Sequence, residues 1–282
     1  MKLSESTAEI WVPDGASEAD ALKRVTHMSI AAHQDDVEIM ALDGILAGFG
    51  SREKWFMAVI VTNGAGSPRD GIYAAYDDQQ MQEVRRLEQK KAAYVGEYSA
   101  VAFLNHPSSE IKSAKATAPR EDLKALIAAS RPEVIYTHNL ADKHDTHIGV
   151  TLRTIAAIRE LPTDQRPKKL YGCEVWRDLD WLVDSDKVVF ELDAHENIAA
   201  SLVGVFDSQI AGGKRYDHAT MGRRRANATY FQSHSVDAAQ MINFGIDLTP
   251  LIQNDKTDPS EYIAEFTQRF ADDVNARVKK FS

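Results

Sequence analysis

The chain has 282 residues, of which 44% are hydrophobic and 27% charged, and its formal net charge is -9. This length can bury a full core, in one large domain or two small ones. The negative charge argues against a nucleic-acid partner held by phosphate contacts, and no apolar run reaches the roughly 18 residues of a transmembrane helix. Residues 1–20 lack the pattern of a secretory signal, and the single cysteine, Cys173, cannot form an internal disulfide. We therefore expect a cytoplasmic protein without membrane contacts.

Apolar runs and helical patterns alternate through the first two thirds of the chain. The apolar runs predict strands at 25–32, 55–61, 100–104, 134–137, 170–176 and 187–192. The helical patterns predict helices at 37–49, 77–95, 121–130 and 148–158. This alternation predicts an α/β fold with a mostly parallel, doubly wound sheet and helices on both faces.

The two ends of the chain have a different character. Residues 1–22 are expected to form an irregular lead-in. Beyond Asp193 the pattern predicts helices at 194–211, 216–231 and 259–278, whereas 241–252 is ambiguous. No linker is convincing, so we expect a single domain over 1–282, with a core at about 23–235 and a C-terminal extension at 236–282.

Two polar clusters follow predicted strands. His33, Asp35 and Asp36 lie on the turn after the first strand, and the segment Asp142–His147 follows the strand at 134–137 in the same way. Open α/β sheets build their sites at the carboxyl ends of the strands, so the two clusters can face each other.

The residue types suit a divalent metal. His33 and Asp36 can reach one ion from the first turn, and His147 can supply a third ligand, as in catalytic zinc sites that keep one position for water. Asp35 leaves the backbone in another direction and can serve as a general base. Zinc is the preferred metal for mixed nitrogen and oxygen ligands, with Fe²⁺ or Mn²⁺ as alternatives.

The second cluster offers further roles. If a helix begins near His144, then His144 and His147 lie on one face of its first turn. One of them can bind the metal while the other polarises a carbonyl oxygen or protonates a leaving nitrogen. Asp142 or Asp145 can orient one of these imidazoles.

Each cluster also has a purely structural interpretation. An Asp-Asp pair in a turn is normally a helix cap, and a lone histidine at a strand end is normally structural. The joint occurrence of two acid-plus-imidazole clusters at two strand ends favours a metal-dependent hydrolase.

The polar stretches resemble a known family. His33-Gln34-Asp35-Asp36-Val37-Glu38 is similar to the characteristic sequence of the LmbE-like, or PIG-L, zinc deacetylases. Further similarities follow in the same order, at Thr62-Asn63-Gly64, Arg85-x-x-Glu88, His144-x-x-His147 and Ser208-Gln209. The likeness covers roughly residues 25–235.

The resemblance implies a Rossmann-like fold and the removal of an acyl group, most often acetyl, from an amino sugar or a related small-molecule N-acyl amine. It makes His33, Asp36 and His147 the zinc ligands and Asp35 the general base. It also makes His144 the residue that stabilises the oxyanion and assists the leaving amine.

Three further residues, Asn63, Gly64 and Arg85, are expected to bind substrate. Arg85 matches a family position associated with substrate binding, although with Glu88 it could also form an ordinary i, i+3 surface pair. Asn63 and Gly64 belong to a loop whose glycines permit close backbone approach to a ligand.

The sequence departs from the family pattern at Gln34, where proline is usual, and at Thr146, where aspartate is common. The segment 105–109 also lacks a frequent aspartate, so a different substrate preference is expected. The alternative function is a hydratase that adds water to a small unsaturated carboxylic acid, with Arg85 and the Asn63-Gly64 loop gripping carboxylates. A non-catalytic family member is a third possibility. The fold is compatible with a homo-oligomer, but the sequence indicates no interface.

Overall fold

One eight-stranded sheet forms the centre of the protein, for which a computed structural model describes residues 1–282. The strands are β1 (Glu9–Trp11), β2 (His27–Ala31), β3 (Phe56–Thr62), β4 (Ala100–His106), β5 (Val134–His138), β6 (Lys169–Cys173), β7 (Val188–Glu191) and β8 (Ile242–Asp247). Their spatial order is β1-β4-β3-β2-β5-β6-β8-β7. The five strands from β4 to β6 in this order are parallel, and the outer pairings are antiparallel. The predicted mostly parallel sheet is confirmed.

Twelve α-helices accompany the sheet. They are α1 (Glu18–Lys23), α2 (Asp36–Met40), α3 (Leu42–Gly48), α4 (Asp78–Val95), α5 (Ser108–Lys112), α6 (Ala118–Ser130), α7 (Asp145–Arg159), α8 (Glu196–Gly204), α9 (Asp207–Ile210), α10 (Tyr216–Tyr230), α11 (Thr249–Gln253) and α12 (Pro259–Phe281). No helix combines the length and apolar character that crossing a membrane requires.

Side chains of the central strands alternate between two hydrophobic cores. In β3, Met57 and Val59 belong to one core, whereas Ala58 and Ile60 belong to the other. Successive residues of a strand point to opposite faces, so a strand covered on both sides must be apolar throughout. This explains the continuous apolar run in the sequence and confirms that helices cover both faces.

The expectation of an irregular lead-in at 1–22 is wrong. Its residues form β1, which pairs antiparallel with β4, and α1, whose N-cap Ser17 accepts a hydrogen bond from the backbone of Asp20. A three-residue strand is too short to show periodicity, and it gains its order from Ile10 opposite Ala102 at the sheet edge.

Two long predicted helices are each interrupted. The helix expected at 37–49 divides into α2 and α3 at Ala41, whose backbone leaves the helical region. The helix expected at 194–211 divides in the same way into α8 and α9. Apolar periodicity continues across these breaks, so it could not reveal them.

The ambiguous stretch at 241–252 contains both element types. Its first half is β8, which lies between β6 and β7 and pairs antiparallel with both, and its second half is α11. The C-terminal part of the chain therefore contributes a strand to the sheet in addition to the expected long helix, α12.

The order of the strands also decides where a site can form. The chain moves from β2 to β3 on one side, and β5 lies on the other side of β2. The carboxyl ends of β2 and β5 therefore flank the switch point at which open α/β sheets bind ligands.

Candidate active site

Three polar atoms from two turns form a small triangle above this switch point. His33 follows β2, Asp36 begins α2, and His147 lies in the first turn of α7. His33 Nδ1 lies 3.1 Å from Asp36 Oδ2, and His147 Nε2 lies 3.4 Å from the same oxygen. The two imidazole nitrogens are 3.4 Å apart. The structure thus brings together the three residues expected to bind a metal.

The triangle has the size that a tetrahedral metal ion requires. With bonds of about 2.1 Å, donor atoms around zinc are separated by about 3.4 Å. His147 is fully buried, and burial of Asp36 would by itself raise its pKa. The adjacent His147 and His33 reverse this effect and hold the pKa of Asp36 well below its usual value. A carboxylate that stays ionised beside two imidazoles fits a divalent cation.

Asp142 lies behind His147. Its Oδ2 is 3.4 Å from His147 Nδ1, and the carboxylate accepts hydrogen bonds from the backbone amides of His144 and Trp176. This arrangement orients His147 with Nε2 toward Asp36. Asp145, the other expected orienting residue, is exposed to solvent at the start of α7.

Asp35 is buried beside the triangle and has an unusual backbone. Its φ is +86°, a region that few residues other than glycine, asparagine and aspartate adopt. Asp35 Oδ1 lies 3.7 Å from Arg85 Nη2. Burial raises the pKa of Asp35 well above its usual value, against the opposing charge of Arg85. A carboxyl group that binds a proton readily suits a general base.

Arg85 is buried and joins two loops. Its guanidinium donates hydrogen bonds to the backbone carbonyls of Gly64 and Gln34, at 3.2 and 2.8 Å. It does not form a surface pair with Glu88, whose carboxylate instead accepts hydrogen bonds from the amide and hydroxyl of Ser208. Arg85 therefore holds the loop that contains Gly64 close to the turn that contains Asp35. Arg85 also lines the cavity.

His144 lies beside the triangle, with its ring centroid 5.1 Å from that of His33. It is the N-cap of α7 and is partly exposed. Its ring stacks on that of His147, with the centroids 4.5 Å apart. Burial, together with the charge of His147, lowers the pKa of His144. The neutral imidazole can donate one hydrogen bond into the cavity.

A cavity of about 460 Å³ opens beside these groups, and His147 and Asp142 lie buried behind its wall. It is lined by His33, Asp35, Asp36, Gly64, Arg85 and His144 of the predicted set, and Thr146, Trp176, Lys214 and Tyr216 complete much of its wall. Gly64 has a φ of +73°, and a Cβ atom there would lie 2.4 Å from Gln34 Oε1. Asn63 does not line this cavity: its side chain accepts a hydrogen bond from the amide of Ala65 and borders a separate, smaller cavity.

Sequence reasoning missed His138, the last residue of β5. Its Nε2 accepts a hydrogen bond from the amide of Ala32 and lies 3.6 Å from Asp36 Oδ2. Its ring stacks on that of His147, with the centroids 3.8 Å apart. The predicted strand ended at residue 137, one residue before His138, and this histidine was therefore assigned to neither polar cluster. His138 therefore packs beneath the triangle and links β2 to α7.

Glu38, which belongs to the family-like stretch but was assigned no role from the sequence, is fully buried behind the triangle. Burial raises its pKa to about 8, although Tyr98 and Gln89 donate hydrogen bonds to it. Nearby, the buried Arg224 of α10 donates a hydrogen bond to the carbonyl oxygen of Glu38. These contacts fix the position of α2, which carries Asp36.

The family described as "PIG-L: GlcNAc-PI de-N-acetylase" matches residues 28–158, a range that contains both turns of the site. No curated protein sequence matches the chain significantly.

Solved structures share the fold. An N,N'-diacetylchitobiose deacetylase from Pyrococcus horikoshii aligns with a TM-score of 0.62 and 11% identity, over 86% of this chain and 90% of that one. The 4-carboxy-2-hydroxymuconate hydratase GalB from Pseudomonas putida KT2440 aligns with a TM-score of 0.58 and 13% identity, over 79% of this chain and 96% of that one. A zinc-inhibited form of the teicoplanin deacetylase Orf2 aligns with a TM-score of 0.57 and 12% identity, over 79% and 97%.

Proposed function

We propose that this chain, whose residues 28–158 match the PIG-L family, is a metal-dependent hydrolase. It removes an acyl group, in the simplest case acetyl, from an amino sugar or a related small N-acyl amine. The observation that carries the proposal is the triangle of His33, Asp36 and His147, with Asp35 and His144 beside it in one cavity. The deacetylases among the structural neighbours support the same reaction.

The three residues of the triangle would hold the metal, for which zinc is our first choice and iron or manganese the alternatives. When bound, such an ion polarises the carbonyl oxygen and lowers the pKa of a coordinated water to about 7. Asp142 keeps His147 in the orientation that this role needs. The zinc-inhibited neighbour supports the view that this fold accepts zinc.

Asp35 moves the proton in the proposed reaction. Its carboxylate accepts a proton from the attacking water, whose oxygen forms a bond to the acyl carbon. When the carbon–nitrogen bond breaks, the same proton passes to the leaving nitrogen, so that a carboxylic acid and a primary amine result. The raised pKa of Asp35 favours this temporary uptake of a proton.

His144 stabilises the negative charge that develops on the acyl oxygen. Because burial lowers the pKa of His144, its ring acts as a neutral hydrogen-bond donor toward the acyl oxygen. The proton for the amine then comes from Asp35, whereas His144 aligns the oxyanion.

The second candidate is a hydratase for a small unsaturated carboxylic acid. The fold shared with GalB and the basic lining of the cavity favour it. However, Arg85, the residue expected to grip a carboxylate, already donates hydrogen bonds to two backbone carbonyls and lies beside Asp35. The hydrolase is therefore our preferred function.

The test combines metal analysis with product detection. Purified protein is analysed for bound divalent ions, stripped with a chelator and reloaded with zinc, iron or manganese. A panel of N-acetylated sugars is then assayed for free acetate and primary amine in equal amounts, and unsaturated carboxylic acids are assayed for loss of ultraviolet absorbance. We expect one ion per chain and metal-dependent amine release. Loss of absorbance without amine release would establish the hydratase, and failure to bind metal after reloading would refute both reactions.

A further inference from the structure

A second compartment opens beside the cavity of the candidate active site. It has a volume of about 310 Å³, and five of its nine lining residues also line the larger cavity: Ile39, Val175, Trp176, Lys214 and Tyr216. Ala219 adds a further apolar residue to its lining. We call it the side compartment. A substrate whose amide lies at the triangle can therefore extend past these aromatic rings.

The charge of the side compartment is opposite to that of the whole protein. Three of its nine lining residues are basic, Lys214, Arg215 and Arg223, and none is acidic. The chain as a whole has a net charge of -9. Such a local excess of positive charge attracts anions to a cavity from an otherwise repelling surface.

Lys214 is the basic residue that remains available to a ligand. Arg215 forms an ion pair with Asp217, and Arg223 donates a hydrogen bond to the carbonyl oxygen of Val175. Lys214 has no ion pair and no side-chain hydrogen bond; its Nζ lies 4.5 Å from the ring centroid of Trp176. The aromatic ring contacts this ammonium group without neutralising it, and Lys214 lines both the side compartment and the larger cavity.

Trp176 is a neighbour both of Lys214 and of His144. Its ring centroid lies 6.2 Å from that of His144 and 6.2 Å from that of Tyr216. Lys214 and His144 line the same cavity, so an anionic group beside Lys214 can belong to a substrate whose amide lies at the triangle. The position suits a group carried by the amine part of the substrate, beyond the bond that is cleaved.

We propose that the side compartment binds an anionic group, a carboxylate or a phosphate, on the amine part of the substrate, and that Lys214 is its main partner. The proposal rests on the proposed hydrolase function and specifies its substrate class: an N-acyl amino sugar, or a similar amine, that carries a negative charge.

The experiment compares neutral and anionic substrates of the same sugar. Rates of amine release are measured for N-acetylglucosamine, for N-acetylglucosamine 1-phosphate and for N-acetylmuramic acid, which supplies a carboxylate. We expect kcat/KM to be at least about tenfold higher for one of the two anions, because a hydrogen bond to a charged group is worth that much. The preference is expected to decrease as ionic strength rises.

Variants then assign the preference to Lys214. Lys214→Gln is expected to raise KM for the preferred anion about tenfold with little change in kcat, and to change KM for neutral N-acetylglucosamine much less. Lys214→Arg should restore most of the affinity. Lys143→Gln is the matched control, since Lys143 lies 5.9 Å from the same Trp176 ring but lines neither compartment; we expect less than a twofold change.

Binding measurements separate this inference from the reaction itself. Calorimetric titration of the metal-loaded protein with each sugar reports affinity whether or not an amide is cleaved. Binding of an anionic sugar that depends on Lys214, without amine release, would support the side compartment and reject the hydrolase. Amine release at equal kcat/KM from neutral and anionic sugars, unaffected by Lys214→Gln, would overturn the inference and keep the hydrolase.

Discussion

Two histidine–carboxylate clusters in this protein have similar compositions and different surroundings. The first is the triangle of His33, Asp36 and His147. The second, which we call the peripheral cluster, consists of Glu5, His106, Glu110 and Asp122. In both, three potential ligand atoms lie within 4.8 Å of one another, so distance between side chains does not distinguish them.

The difference lies in what the imidazoles face. In the peripheral cluster, the two ring nitrogens of His106 each lie 3.0 Å from a carboxylate, of Glu110 and of Asp122. Asp122 also accepts hydrogen bonds from the amide and hydroxyl of Ser4. None of these residues lines the large cavity or the side compartment. The peripheral cluster therefore fastens the N-terminal segment to α5 and α6.

In the triangle, by contrast, two imidazole nitrogens converge on a single oxygen of Asp36 at the edge of a cavity. Convergence of donors on one point, with space beside it, suits an ion and a substrate. The comparison teaches that residue type alone does not mark a site, because position at the switch point of the sheet is also needed.

The largest effect is expected at Asp35. Asp35→Asn removes the group that accepts the proton and should lower kcat/KM by about 10²- to 10⁴-fold. Asparagine tolerates the positive φ of this position, so folding and metal content should be retained. Steady-state kinetics, metal analysis and thermal unfolding of the same preparation test this; a variant with the wild-type rate would exclude Asp35 as the base.

The peripheral cluster should affect stability alone. His106→Ala removes one of the hydrogen-bond partners of the buried Asp122, and should lower the free energy of unfolding by about 1–3 kcal/mol. Denaturant unfolding measures this loss, while activity per folded molecule should stay within twofold.

If His106→Ala does not fold, Glu110→Gln provides a milder variant. Glu110 is only partly buried, and we expect a cost of about 1 kcal/mol. A loss of metal content or of activity per folded molecule in either variant would show that the peripheral cluster has a role beyond stability.

Removal of the metal should show directly which of the two clusters binds the ion. A ligand present at a hundred times its dissociation constant stabilises a protein by about 2.7 kcal/mol. Chelation should therefore lower the unfolding temperature of the wild type and of Glu110→Gln by the same amount. Asp36→Asn, which lacks one ligand of the triangle, should show no such shift; a full shift in this variant would place the ion elsewhere.

The smallest effect on the candidate site is expected at Asp142, which lies behind His147 and influences metal affinity only through it. Asp142→Asn weakens the orientation of His147 and should reduce metal affinity by about 10- to 100-fold. Asp145→Asn is the matched control, because Asp145 is exposed at the start of α7, the helix that carries His147. The metal affinity of this variant should equal that of the wild type. Competition with a fluorescent chelator measures both, and equal affinities in the two variants would contradict the role of Asp142.

Short-range patterns were sufficient to predict the parallel sheet and the residues of its two polar turns. Buried parallel strands must be apolar throughout, and the residues just after them must lie at one edge of the sheet. For this reason the sequence was sufficient to select His33, Asp36 and His147, although His33 and His147 are more than a hundred positions apart. The likeness of the surrounding residues to a known family strengthened that choice.

Other features depended on contacts that leave no periodic pattern in the sequence. β1 is ordered by β4, and β8 by two neighbouring strands, so neither could be identified from its own residues. The burial of Arg85 and the position of Lys214 over Trp176 likewise follow from how distant segments pack. Local propensity reports only on nearby residues, and the tertiary structure therefore decided which polar groups are buried, paired or available to a ligand.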